Sequence, residues 1–262
     1  MLRGEWAGKI DCFKALLFNF IKLMTAMFDK IINRFNIQTI IISIFLIAFV
    51  NSIKAQNLKI IKKYAEYAQS VKHDSLNEMI ELKKISPTLQ YDLRYATTNN
   101  FMHQKLYKDG DQTFLRLPAA RALSKIQEDL NEKNLSLKIW DAYRPYSITK
   151  KMWALIKDDR YVADPKKGSG HNRGVAVDLT LINKLSGKEL NMGTGFDNFS
   201  DTAHADFKNL PDEIRQNRLL LKSIMEKYGF RVLETEWWHF SWNNSEFDLM
   251  DIDGKKFKRK IN

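Results

Sequence analysis

Cysteine is almost absent from this chain: Cys12 is the only one in 262 residues. No disulfide can close within it, and a thiolate zinc site of the finger type is excluded, so any metal must be held by His, Asp or Glu. There is no internal repeat and no low-complexity linker, and the length suits one sizeable domain. The apolar run at residues 40–50, IIISIFLIAFV, is eleven residues long. A bilayer needs about twenty, so this run is too short for a comfortable transmembrane helix. Nucleic-acid signatures are missing as well; Lys and Arg are dispersed, which argues against a nucleic-acid partner.

Hydrophobic residues make up 44% of the chain and charged residues 28%, a balance that argues for a globular fold and against disorder. The formal charge is +11; without residues 1–55 the chain keeps 35 Lys and Arg against 28 Asp and Glu, a net +7. That excess suits an anionic surface or an acidic polymer. Residues 40–50 have the length of a signal-peptide core, with Lys30 and Arg34 before it and Ala55 as the residue before a cut. Met24 or Met27 makes a more usual start, so residues 1–23 read as an extension of the start site. The alternative is an uncleaved N-terminal anchor. Either reading exports the domain, most simply to the periplasm, with no stable membrane span once a signal is removed. The mature part, from Gln56, contains no cysteine to oxidise.

Residues 56–84 read as a charged, helical lead-in and 85–262 as the functional domain. Leu89, Tyr91, Leu93 and Tyr95 alternate with polar residues, which predicts a strand. Pro118 opens a helix carrying Leu123, Ile126 and Leu130 at helical spacing. Leu135, Leu137 and Ile139 alternate again, and residues 147–157 read as a short helix. Val175, Val177 and Leu179 place one apolar face on a strand, with Asp178 pointing the other way. Pro211 opens a helix through Tyr228, closed by Gly229. A last strand covers Phe230 to about Trp242. Without a regular βαβ alternation, the class is α+β: one domain with a small, mainly antiparallel central sheet and helices around it.

Two clusters carry chemistry. In the first, glycines at 168, 170 and 174 make a loop around His171, and Asp178 follows on a strand. The second is Glu234-Thr235-Glu236-Trp237-Trp238-His239-Phe240, whose bulky flanks imply burial; a buried Glu or His needs a partner or a metal. Glu236 and His239 are three apart, so sharing one site requires a bend or a strand end between them. Two imidazoles and a carboxylate are the three-ligand form of a catalytic zinc site, which keeps a position open for water. Either Glu234 or Glu236 could take the water's proton. Arg144, at the end of Trp140-Asp141-Ala142-Tyr143-Arg144-Pro145, is a candidate to stabilise an oxyanion.

The order Ser169-x-His171-x-x-Gly174-x-Ala176-x-Asp178 followed by Glu236-Trp237-Trp238-His239 resembles the D-alanyl-D-alanine dipeptidases of the VanX type. Tyr91–Thr97, Trp140–Pro145 and Met192–Asp197 fit too, so the resemblance runs from about Leu89 to Trp242. It implies one zinc ion per chain on His171, Asp178 and His239, Glu236 as the general base, and Arg144 polarising the scissile carbonyl. It also implies Tyr95, Ser169 and Asp197 in the pocket for a small dipeptide. Gly170 departs from the pattern, where a second serine precedes the zinc histidine, so a hydroxyl that could touch the substrate is missing. His204 is read as structural because three protein ligands are already present; His73 and His103 are read as surface or loop residues. The implied activity is zinc-dependent hydrolysis of D-Ala-D-Ala. The alternatives are a D,D-carboxypeptidase or other peptidoglycan peptidase acting on longer peptides, and a non-catalytic zinc domain that binds cell wall. The sequence carries no signal of oligomeric state.

Overall fold

Four strands of a five-stranded sheet alternate in direction, and two of them carry the metal-ligand candidates side by side. The computed structural model describes residues 18–27, 29–30, 58–107, 113–242 and 247–259. In the first of two units, Met1–Asn57, residues 18–27 and 29–30 are helical. The apolar run 40–50, the cut after Ala55 and the start-site extension up to residue 17 lie outside the described residues. Among the described residues no helix is long and apolar enough to cross a membrane.

The second unit is Leu58–Asn262. Its described strands are β1 (Ile60–Ile61), β2 (Met79–Glu81), β3 (Gln90–Tyr91), β4 (Phe114–Arg116), β5 (Leu135–Asp141), β6 (Ala176–Asn183), β7 (Phe230–Leu233), β8 (Glu236–Trp242) and β9 (Leu249–Met250). Its α-helices are α1 (Tyr64–His73), α2 (Leu117–Asn131), α3 (Tyr146–Leu155), α4 (Gly170–Arg173) and α5 (Asp212–Lys227). The main sheet has the order β3-β5-β6-β8-β7; β3 runs parallel to β5, and the other three pairings are antiparallel. An α+β unit with a mainly antiparallel sheet is what the sequence pattern anticipates.

Strand β6 is central and buried on both faces from Ala176 to Ile182, which is why it reads as a nearly continuous apolar run interrupted by Asp178. Helix α2 begins with Pro118 in its first turn and turns Leu123, Ile126 and Leu130 into the core. Helix α5 packs through Leu221, Ile224 and Met225. Its Arg218 guanidinium donates to the carbonyls of Met192, Thr202 and His204, each at 2.8 Å. This clamps the irregular segment that carries Asp197 onto the helix.

Three sequence expectations change. Leu89 to Tyr95 is a strand only at Gln90–Tyr91; it then turns into a 3₁₀ segment at Arg94–Ala96 that buries Tyr95. Phe230 to Trp242 is a hairpin, turned at Glu234 and Thr235, rather than one strand. The segment read as a charged lead-in contributes one helix and two strands. β1 pairs with β9, β2 pairs with β4, and Ile61, Tyr67 and Met79 enter a cluster with Phe114 and Phe257. Only Tyr67 of α1 is fully buried, so the charged surface of that helix concealed its anchor.

Candidate active site

The ligand candidates meet because two strands place them opposite each other. Asp178 on β6 and His239 on β8 are direct antiparallel partners. His171 comes from the glycine-flanked segment, which forms one helical turn, α4, instead of the expected loop. Ser169 caps that turn by accepting from the His171 N–H at 3.1 Å, and the Asn172 side chain accepts from the Ser169 N–H. Gly174 closes the turn at φ +73°, a left-handed conformation that favours glycine. Asn172 also donates to the Arg144 carbonyl at 2.9 Å, and the Arg144 N–H donates to the His171 carbonyl at 3.2 Å. His171 and Arg144 are thereby held as a pair.

The spacing of Glu236 and His239 is resolved by a slip in the β7–β8 ladder. Val232 faces Phe240, but Leu233 faces Glu236, leaving Trp237, Trp238 and His239 without partners on β7. This irregularity lets two residues three apart line the same cavity. A smaller slip between Ile139 and Asp141 on β5 sets Asp141 opposite Asp178. Behind the bulge lies an aromatic wall: Trp140 stands 5.8 Å from Trp237, and Trp238 stands 5.8 Å from Phe196.

His171 Nε2 lies 3.1 Å from His239 Nδ1 and 3.3 Å from Asp178 Oδ2, and His239 Nδ1 lies 2.9 Å from Asp178 Oδ1. With bonds of about 2.0–2.2 Å, tetrahedral zinc ligands stand about 3.3–3.6 Å apart, so these donors are already close to that spacing. The remaining nitrogen of His171, Nδ1, is 2.6 Å from the Ala142 carbonyl. Donation there leaves Nε2 as a lone pair facing the other two donors. The donor set therefore fits a metal ion, and among the described residues this is the one His/Asp/Glu cluster able to hold one.

Burial works against the charge of Asp178, but His171 and His239 outweigh it and hold the carboxyl below the usual range. Burial lowers the His239 imidazole, favouring its neutral, metal-binding form. Burial first, then the carboxylates of Asp178 and Asp197, raise Glu236 well above an ordinary glutamate. Its Oε2 is 4.0 Å from His239 Nδ1. Glu234 is exposed at the hairpin turn and does not line the cavity.

Arg144 donates to Asp141 Oδ2 through Nε at 2.9 Å and Nη2 at 2.8 Å, and Nη2 is 3.6 Å from Asp178 Oδ2. Its guanidinium lies over the Tyr95 ring, 4.8 Å from the centroid. The Tyr95 hydroxyl donates to Asp197 Oδ1 at 2.9 Å. Asp197 Oδ2 is buried with no protein partner.

All eight side chains named from the sequence line one cavity of about 210 Å³. Its lining includes Tyr161 and Phe199, whose ring centroids lie 4.9 Å apart. The Thr235 hydroxyl donates to the Arg160 carbonyl at 2.8 Å and ties that part of the lining to the hairpin turn. A second cavity of about 350 Å³, bordered by Tyr107, Tyr143 and Lys151, contains none of the eight. His204 is outside the site, its carbonyl held by Arg218; His73 and His103 are exposed. Sequence reasoning gave Asp141 no role, although it grips Arg144 and accepts from the Tyr107 hydroxyl at 2.7 Å. An acid ending an apolar strand was the available signal.

Burial pushes Asp197 up to about 7, from 3.8 in a free side chain. Over the interval between these values the folded, metal-free protein holds a proton that the unfolded chain has released. This contribution to stability is complete below the lower value and is lost as pH rises through the upper one. Metal-free Asp197→Asn is expected to show a shallower fall in urea midpoint from about pH 4 to about pH 7 than the unmodified chain. Identical slopes would show that Asp197 titrates normally in the fold.

Comparison with known proteins identifies the family. The profile of the Peptidase M15 family, D-ala-D-ala dipeptidase, matches residues 75–254. A D-alanyl-D-alanine dipeptidase of Escherichia coli (strain K12) is 38% identical over 163 residues, covering 62% of this chain and 83% of that protein. One from Enterococcus faecium is 31% identical over 194 residues, covering 64% and 95%. A solved LD-carboxypeptidase overlaps 51% of this chain and 61% of its own at 22% identity and a TM-score of 0.34, a likeness too slight to carry argument. The profile match spans both halves of the cavity, from Tyr95 to His239, and on that basis the chain belongs to the Peptidase M15 family of D-ala-D-ala dipeptidases.

Proposed function

We propose that this protein hydrolyses D-Ala-D-Ala to two D-alanines, with zinc held by His171, Asp178 and His239. The observation that carries the proposal is the convergence of three preset donors, a buried glutamate and a buried arginine in one small cavity. Zinc bound there would polarise the scissile carbonyl and bring the pKa of a water to about 7. Glu236 would take a proton from the attacking water and pass it to the departing amine; burial, with Asp178 and Asp197 nearby, raises its carboxyl well above an ordinary glutamate, which favours holding that proton between the two transfers. Arg144, held by Asp141, faces the oxygen on which charge develops. The unpartnered Asp197 Oδ2 suits the substrate ammonium, and Tyr95 holds the other carboxylate oxygen in place.

The cavity size favours a dipeptide over the longer peptides of a carboxypeptidase. About 210 Å³ is below the roughly 300–1,000 Å³ of drug-sized ligand sites. Retention of Glu236 and Arg144 argues against a domain that only binds wall fragments. Export to the periplasm remains part of the proposal, on the strength of the apolar run 40–50 and its basic flank.

The deciding assay incubates purified protein with D-Ala-D-Ala and, separately, with a pentapeptide ending in D-Ala-D-Ala, and measures free D-alanine. Release from the dipeptide alone, abolished by chelation and restored by zinc, is the expected result. Release from the pentapeptide at a comparable rate would favour the carboxypeptidase reading. Absence of release from both would sink the peptidase assignment.

A further inference from the structure

The two histidines at the site are oriented by different kinds of partner. His171 Nδ1 is 2.6 Å from a main-chain carbonyl, that of Ala142, which no side-chain substitution removes. His239 faces the other donors through Nδ1, and its Nε2 is 3.2 Å from the Ser241 hydroxyl. Ser241 is two residues along β8 from His239, hence on the same face. Across the ladder, Ala176 and Asp178 on β6 stand opposite Ser241 and His239.

Gly170 makes room for that hydroxyl. A Cβ at position 170 would lie 2.9 Å from Ser241 Oγ and 2.9 Å from Ala176 Cβ, closer than real Cβ contacts come. The space beside position 170 is thus taken by Ser241 and Ala176. Ser241 itself does not line the cavity; its hydroxyl is directed at the far side of a ligand histidine.

We infer that Ser241 is the positioning residue for His239, and that Gly170 and Ser241 act as one unit: the glycine leaves the space in which the hydroxyl meets Nε2. This rests on the metal site proposed above. When Nδ1 gives its lone pair to a metal, Nε2 must carry the ring proton, and Nε2–H then donates to Ser241 Oγ. That bond fixes both tautomer and ring angle, and partners of this kind typically change metal affinity by about 10–100-fold.

The test measures zinc affinity by competition with a chromogenic chelator, alongside the urea midpoint of the metal-free protein. Ser241→Ala is expected to weaken zinc binding by about 10–100-fold with the metal-free midpoint unchanged. Ser241→Thr, which keeps a hydroxyl, is expected to recover most of the affinity. Gly170→Ala should weaken binding as well, because its Cβ would meet both the Ser241 hydroxyl and the Ala176 Cβ at 2.9 Å. Zinc binding by Ser241→Ala as tight as by the unmodified chain would overturn the inference. So would parallel losses of affinity and metal-free stability that Ser241→Thr does not recover. An unmodified chain that fails to bind zinc would overturn the metal site, and this inference with it.

Discussion

Glu236→Gln is expected to lower kcat on D-Ala-D-Ala by about 10²–10⁴-fold, the range for removing a general base, while zinc content stays at one per chain. The substitution is isosteric, so it isolates charge from shape. It also removes a carboxylate disfavoured by burial and by the nearby charges of Asp178 and Asp197. Stability should therefore hold or rise, and a urea melt of the same preparation separates lost chemistry from lost fold. Glu234→Gln is the control: Glu234 is exposed at the hairpin turn, and its loss should leave kcat near the unmodified value. Near-normal turnover by Glu236→Gln would remove Glu236 from the role of base. A loss confined to Glu234→Gln would transfer the role to the neighbour that the sequence alone also allowed.

Arg144→Met is expected to reduce both activity and stability, by separable routes. If the guanidinium stabilises the developing oxyanion as proposed, its loss should cost about 10²–10³-fold in kcat. Losing the partner of Asp141, which is 1% exposed, strands a buried carboxylate, a change worth about 3–5 kcal/mol in comparable pairs. Burial pushes Asp141 up and the Arg144 guanidinium opposes that rise. Neutralising both groups in Asp141→Asn/Arg144→Met should recover much of the stability and none of the activity. If the double variant were as unstable as Arg144→Met, the stability loss would lie elsewhere than in the stranded Asp141. If Arg144→Met kept full turnover, Arg144 would have no part in stabilising charge. Dichroism-monitored urea unfolding and steady-state kinetics on the same samples distinguish these outcomes.

Much of the site was legible because its chemistry is written in short segments. His171 and Asp178 fall in one such segment, and Glu236 and His239 in another. Strand β6 was readable because Asp178 interrupts an apolar run, and α2 and α5 because a proline opens each and their apolar residues recur at helical spacing. The reading weakened where long-range pairing outweighed local pattern. Leu89 to Tyr95 alternates like a strand, yet the ladder registers only Gln90 and Tyr91, beside Lys138 and Ile139. The charged stretch before residue 85 looks peripheral, yet its apolar pair Ile60–Ile61 meets partners about 190 residues away, at Leu249 and Met250.

The sequence by itself determined the inventory of this protein: no thiolate ligands, two imidazoles and a carboxylate in family order, an arginine after an apolar strand, and a glycine where a serine was expected. Only the tertiary structure decided how these act together. The slip between Val232 and Leu233 brings Glu236 and His239 into one cavity, and the slip at Ile139 sets Asp141 where it can grip Arg144. The Ser241 hydroxyl takes the space beside Gly170. The physical reason is the same in each case. Residue type is a local property of the chain, whereas strand register and the space beside a Cα depend on which distant segments pack there.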